Sequence, residues 1–262
     1  MKSQLYPERR PLLFLVVVTA ISLPFFVVGA VVDSVRIGAL RLPASAVMFL
    51  VPVVAAAILV YQEAGRGGVL GLLSRAFDYS AAPRKVWYLA AAGLPVLVAA
   101  GAYGIAWGLG EVGTRIPISL VAVPLVVVAT LFAAACEELG WTAYATDPLR
   151  QRWGTTWTGI GLGIYWALWH LVPLMQVGHG FAWIAGWFTG TVAARVLIVW
   201  LHNNTGRGVF AAILFHAMLN VTAVLTPDYD LPIVQILAAS LLLALAATVL
   251  LSARPSGPRP KG

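Results

Sequence analysis

Residues 118–138 read ISLVAVPLVVVATLFAAACEE: eighteen residues without a charge, then Cys136 and two adjacent glutamates, Glu137 and Glu138. About 20 predominantly apolar residues are enough for a helix to cross a bilayer. A carboxylate at the centre of such a helix costs roughly 2.5–3.5 kcal/mol on insertion scales. The chain has only ten Asp and Glu, and the other eight (Glu8, Asp33, Glu63, Asp78, Glu111, Asp147, Asp228, Asp230) fall at ends or between apolar stretches. Two acids in a row on an apolar segment therefore mark a functional site by default.

Outward from that stretch the whole composition is that of a membrane protein. Hydrophobic residues make up 60% of the 262-residue chain and charged residues 10%; the mean hydropathy is +0.88. Eight apolar stretches are long enough to span, at about 12–32, 43–62, 86–109, 118–146, 156–175, 181–201, 208–226 and 232–252. The first is too long for a cleavable signal peptide, carries Pro24 internally and lacks a small-residue cleavage site. No soluble domain remains. The expectation is an all-α polytopic membrane protein, a single domain over 1–262 built as a bundle of about eight transmembrane helices.

Cations orient the bundle. The odd-numbered side of the spans carries Lys2, Arg9, Arg10, Arg66, Arg75, Arg84, Lys85, Arg150, Arg152, Arg207, Arg254, Arg259 and Lys261; the opposite side carries Arg36, Arg41 and Arg115. Cytoplasmic loops are enriched in Lys and Arg, so the basic side and both termini are expected in the cytoplasm of a prokaryotic cell membrane. The net charge of +7 then reflects topology and anionic lipid head groups rather than nucleic-acid binding. Within the cytoplasmic link 62–85, Val69, Leu70, Leu72, Leu73, Ala76 and Phe77 recur at helical spacing, predicting an amphipathic helix in the interface. The tail 253–262, rich in Pro, Gly and cations, reads as disordered. With one cysteine, Cys136, there is no internal disulfide.

Other polar residues inside the spans complete a constellation. Trp166 and His170 are four apart and share a helix face, as do His216 and Asn220; Arg195 stands alone in the sixth stretch. At 1.5 Å per residue, Glu137 and His216 lie roughly 14 and 12 Å from the cytoplasmic end of their spans, and His170 roughly 21 Å. The three helices are expected to present these groups to one polar cavity facing the cytoplasm, with His170 fitting the ruler poorly.

The runs CEELGWTAYATDPLRQRWG (136–154), WALWH (166–170) and FHAMLN (215–220) resemble the three motifs of the CPBP intramembrane protease family, which holds CAAX-type prenyl proteases and bacteriocin-processing or immunity proteins. The pattern there is EExxxR, an aromatic four residues before a histidine, and HxxxN, and order and spacing agree over about 60–226. The resemblance implies an intramembrane endopeptidase acting on a membrane-associated peptide or lipidated, possibly prenylated, protein. Glu137 would be the general base, His170 would hold the attacking water, and His216 and Asn220 would donate to the oxyanion. Adjacent helical residues point about 100° apart, so Glu138 would brace the site instead. Trp141, Trp166 and Trp169 would line the cavity.

One position departs from the family. Thr142 stands where arginine is usual, and threonine cannot neutralise Glu138. Either Arg195 supplies that charge from a neighbouring helix or it snorkels to the edge. Glu138 could alternatively be protonated. Metal use also stays open: Glu137, His170 and His216 could hold zinc with one position free, but there is no HExxH, which favours a cofactor-free site. Two other function classes remain alongside the protease: a proton-coupled transporter, because buried Glu and His build proton relays, and a non-catalytic membrane partner or immunity protein with a degenerate site. Membrane lipids and a peptide substrate are the expected partners.

Overall fold

The computed structural model describes residues 9–38, 40–114 and 119–252. Eight α-helices follow in chain order: α1 Pro11–Val31, α2 Val51–Ser74, α3 Val86–Gly108, α4 Val123–Gly140, α5 Asp147–Gln176, α6 Phe181–Asn204, α7 Phe210–Leu225 and α8 Pro232–Ser252. Prolines in the first turn of α1, α2, α4 and α5 start those helices without losing a backbone bond, because the first N–H groups have no intrahelical partner. Pro24, Pro95 and Pro173 lie inside helices, as membrane helices tolerate when neighbours satisfy the freed carbonyl. Six helical stretches are long and apolar enough to cross a membrane. One of them, Val123–Gln176, folds as two arms, and α7 is apolar but only 16 residues long. The protein is an all-α polytopic membrane bundle. The tail expectation for 253–262 lies outside the described residues.

Two breaks in the helices matter most. Gly154 (φ 74°, ψ 170°) breaks α5, so that its first residues continue the α4 arm and the rest folds back beside it. Gly65 (φ 61°, ψ −161°) turns α2 so that its last residues form a short surface helix, with Leu70, Leu73 and Phe77 exposed and Leu72 buried. These backbone conformations are open essentially to glycine alone. The surface helix matches the amphipathic pattern of the 62–85 link.

A short antiparallel hairpin was not expected. β1 (Val35–Ile37) pairs with β2 (Leu40–Leu42), Val35 opposite Leu42. Its turn residue Gly38 has φ +59°, and a Cβ there would lie 2.8 Å from the Val224 carbonyl. Arg36 pairs with Asp230 at 3.3 Å, and Arg41 donates to the Val177 carbonyl. The hairpin is thereby fastened to the α5–α6 and α7–α8 links, and this is the hairpin end of the bundle.

The opposite, basic end is fastened by its own contacts. Arg75 donates to the Arg207 carbonyl and Arg9 to the Ala143 carbonyl. Asp78 accepts from the backbone N–H of Val209 and Phe210 at 2.9–3.0 Å, capping α7 where its first N–H groups would otherwise be unsatisfied. Among the described residues the two largest of four apolar clusters fill the bundle. One joins α1, α2, α4, α5 and α7; the other joins α3, α6, α7 and α8.

Candidate active site

The glutamate pair and His170 come to one level because Gly154 stands midway between them. Glu137 lies 17 residues before Gly154 and His170 16 after it, roughly 25 and 24 Å along the two arms. The poor fit of His170 on the sequence ruler came from ending the fourth span near 146. The helix instead runs on as a wider π-type segment, Trp141–Thr146, and continues to the glycine. A π turn inserts one residue into the helical repeat and commonly accompanies functional sites.

Close helix packing sets the lateral positions. A Cβ on Gly140 would lie 2.6–2.8 Å from Pro52, so α4 meets α2 backbone to backbone. Cβ atoms on Gly159 and Gly163 would lie 3.0 Å from Val196 Cα and 2.9 Å from Val192 Cα. That small-xxx-small face of α5 lets α6 approach closely. It also brings Arg195 level with Trp166.

Glu138 is fully buried and held on three sides. Arg195 donates to both carboxylate oxygens at 2.8 and 2.9 Å, a bidentate pair across two helices. Thr142, one turn on, donates its hydroxyl to Oε2. Nδ1 of His216 lies 2.9 Å from Oε1. A carboxylate so paired accepts, so Nδ1 carries the proton and Nε2 is the free atom of that ring. Arg195 is fully buried too, and its guanidinium carbon lies 4.2 Å from the Trp166 ring centroid. Of the two sequence readings of Arg195, the structure has the ion pair.

Glu137 faces a different environment. Its Oε2 accepts from the indole N–H of Trp166 at 2.8 Å and of Trp141 at 3.2 Å. Its Oε1 lies 4.0 Å from Nε2 of His216. Two neutral donors fix one oxygen and leave the other toward the histidine, and among the described residues no Lys or Arg pairs with it. The two adjacent acids thus differ in their surroundings: Glu138 is paired with Arg195, while Glu137 is held by two indole N–H groups.

His170 hydrogen-bonds through Nδ1 to the Trp166 carbonyl at 2.9 Å, again leaving Nε2 free, and its ring lies edge-on to Trp169 at 4.7 Å. Asn220, one turn beyond His216, is half-buried and makes no hydrogen bond among the described residues. Glu137, His170, His216 and Asn220 all line one cavity of about 800 Å³, together with Trp166 and Trp169. Trp141 does not line it. That indole is buried among Phe14, Tyr165 and Trp169, because the π segment turns it away from the cavity while its N–H still reaches Glu137.

The cavity extends toward the hairpin end. Its lining is mostly apolar and runs from Glu137 toward the hairpin end, through Thr226 and Tyr229 to Val35, Ile37 and Arg41. None of the basic-end links contributes, since Trp141, Tyr144, Leu149 and Arg195 fill that side.

Glu137, His170 and His216, suggested from the sequence as zinc ligands, all line this cavity. Among the described residues no cluster of three or more His, Cys, Asp or Glu is arranged to hold a metal. Oε2 of Glu137 is taken by two indoles, and Nδ1 of each histidine by an oxygen. No step is derived through a metal.

Sequence reasoning missed the indole donors to Glu137, the Asp78 cap and the glycine faces. Trp141, four residues after Glu137, and the Gly159/Gly163 spacing were readable signals. Trp166 as a donor to Glu137 was not, because that contact joins separate arms.

Residues 119–222 match the family model described as type II CAAX prenyl endopeptidase Rce1-like. The chain is also similar to a protein named CAAX prenyl protease 2 from Methanococcus maripaludis, 32% identical over 100 residues, which is 35% of this chain and 36% of the relative. The chain thus spans about a third of the length of the curated relative it matches. The matched segment runs from the start of the α4 arm through α7 and includes every residue of the cluster around Glu137.

Proposed function

We propose that this chain, whose residues 119–222 match the family model described as type II CAAX prenyl endopeptidase Rce1-like, is an intramembrane endopeptidase that cleaves a membrane-associated peptide with a water activated by Glu137. The observation that carries this reading is the asymmetry of the two acids. Glu138 is matched by Arg195, while Glu137 stands at the cavity floor with one oxygen fixed by two indoles and the other 4.0 Å from His216.

In the proposed reaction Glu137 takes a proton from water, and the resulting hydroxide attacks the peptide carbonyl. His170, with Nδ1 held by the Trp166 carbonyl, uses Nε2 to orient that water. His216, with Nδ1 held by Glu138, turns Nε2 toward Glu137, and the Asn220 amide donates to the oxygen that becomes negative. Protonated Glu137 then returns its proton to the leaving amine as the C–N bond breaks, so the proton balance closes. Arg195 and Thr142 touch no reacting atom; they position Glu138 and, through it, His216. Apolar cavity walls strengthen each of these interactions, and they suit an apolar or lipid-bearing segment.

The test is cleavage of a fluorogenic peptide, with and without a prenyl group on its C-terminal cysteine, by the purified protein in proteoliposomes. Wild type should cleave, and Glu137→Gln should lose activity with its thermal melt unchanged. A chelator should leave turnover as it is. Equal turnover in wild type and Glu137→Gln would remove the catalytic assignment.

A further inference from the structure

One buried hydroxyl on α6 faces the cavity without a partner. Thr191 is 8% exposed and lines the same cavity as Glu137, Trp166 and His170. Its hydroxyl makes no hydrogen bond among the described residues. A helical threonine can turn its hydroxyl back to a carbonyl about one turn earlier. Thr19, Thr130, Thr158, Thr189 and Thr222 do so here, at 2.8–3.1 Å. Leaving a buried donor unsatisfied costs free energy, so the open hydroxyl of Thr191 calls for a ligand in the cavity.

The packing of α5 on α6 places that hydroxyl. The two helices run antiparallel across the Gly159 and Gly163 contacts. At one level Arg195 lies over the Trp166 ring, its guanidinium carbon 4.2 Å from the centroid. At another Trp187 meets His170, with ring centroids 5.3 Å apart. Thr191 stands four residues from Trp187 and four from Arg195, so it shares their helix face and falls between the two levels. It therefore faces the notch between His170 and Trp166, the residue whose indole holds Glu137.

The donors and acceptors around this notch identify the ligand. Nδ1 of His170 lies 2.9 Å from the Trp166 carbonyl, an acceptor, so Nδ1 carries the proton and Nε2 is an acceptor. A carboxylate acting as base is an acceptor too. Both groups assigned to the attacking water thus take its hydrogens, and neither fixes its lone pairs.

We propose that the Thr191 hydroxyl donates to the attacking water, holding one lone pair so that the other points at the peptide carbonyl carbon. The water then has Glu137 and His170 on its hydrogens and Thr191 on its oxygen, with its fourth direction free for attack. The proton path is unchanged: Glu137 takes one proton from the water and returns it to the leaving amine, and Thr191 keeps its own. This role rests on the proposed peptidase reading; the unpartnered hydroxyl facing the cavity does not.

The test compares wild type, Glu137→Gln, Thr191→Val, Thr191→Ser and Thr189→Val by cleavage of the fluorogenic peptide in proteoliposomes and by thermal melting. Thr191→Val keeps the shape and removes the donor. Its kcat should fall roughly 2- to 10-fold, the range of one hydrogen bond, with KM unchanged. Its melting temperature should equal or exceed that of wild type, because no bond within the fold is lost. Thr191→Ser should recover most of the lost kcat. Thr189→Val, which removes a hydroxyl bonded back to Ala185 on the exposed face of α6, should leave kcat as it is. Wild-type kcat in Thr191→Val, beside an inactive Glu137→Gln, overturns the inference and leaves the peptidase standing. So does a raised KM at unchanged kcat, which would place the hydroxyl on the substrate. A clear fall in the melting temperature of Thr191→Val overturns it as well, since the hydroxyl would then be bonded within the fold. Equal turnover in wild type and Glu137→Gln removes the peptidase reading, and the role of Thr191 with it.

Discussion

Arg195 binds both oxygens of Glu138, at 2.8 and 2.9 Å, from a helix whose sequence position is 57 residues away. In the EExxxR pattern that this stretch resembles, an arginine four residues after the second glutamate would bring the charge from the same helix. Here Thr142 occupies that place with a hydroxyl bond, and the cation arrives across the bundle. Removing one partner of a buried ion pair leaves an unpaired charge and costs about 3–5 kcal/mol. Arg195→Met should therefore melt far below wild type, and Arg195→Lys, a single point charge without the fork, should fall between them. Restoring a cation from within the helix, Arg195→Met with Thr142→Arg, should recover part of the lost melting temperature in detergent. No recovery would show that the bidentate cross-helix geometry, and not charge alone, is required.

Trp166 does two jobs, donating to Glu137 and offering its ring face to Arg195. Trp166→Phe keeps a ring and removes the N–H. A hydrogen bond to a charged group contributes about 1.5–3 kcal/mol. If that loss is felt at the reacting carboxylate, turnover falls by roughly 10- to 100-fold at about 1.4 kcal/mol per tenfold. Trp141→Phe removes the longer, 3.2 Å bond and should cost less activity. Peptide turnover alongside a thermal melt separates this from unfolding.

Gly163 governs whether Arg195 reaches its partner at all. Its added Cβ would meet Val192 Cα at 2.9 Å, the Val192 carbonyl at 3.1 Å and Arg195 Cβ at 3.2 Å. Gly163→Ala is thus expected to push α5 and α6 apart and to lower both melting temperature and activity. Gly67→Ala, with nothing within 4 Å of the new carbon, serves as the neutral comparison. Equal melts for the two variants would refute the packing role.

His179 gives a pH-dependent term at the hairpin end. Burial lowers its pKa from the ordinary 6.5, opposed by Asp230 and reinforced by Arg41, and its ring stacks on Trp183 at 3.5 Å. The folded protein then binds fewer protons here than the unfolded one. This contribution is fully present above the ordinary histidine value and is lost as pH falls through the lowered one. Melting temperature should drop between about pH 6.5 and lower pH in wild type, and drop less in His179→Phe, which keeps the stack. Parallel pH curves for the two proteins would refute this.

Much of the fold was legible in the sequence because hydropathy reports which segments leave water, and the apolar stretches from 12 to 252 do so plainly. The cluster was legible for the same reason: Glu137, Glu138, His170, Arg195, His216 and Asn220 are costly where they stand. Arg195 was one of two equal readings until its distance to Glu138 was known. The hairpin at 35–42 was hidden, being too short to give a period.

What the sequence determined alone is therefore the medium and the residue types: a membrane bundle with two adjacent carboxylates and two histidines inside its apolar stretches. Hydropathy cannot tell burial in lipid from burial in protein. Tertiary structure decided the rest, namely that Gly154 levels Glu137 with His170, that glycine faces on α5 bring Arg195 to Glu138, and that the cavity opens toward the hairpin. Each depends on how closely two helix backbones approach and which side chains fill the gap, and packing distances of that kind are set only when the helices meet.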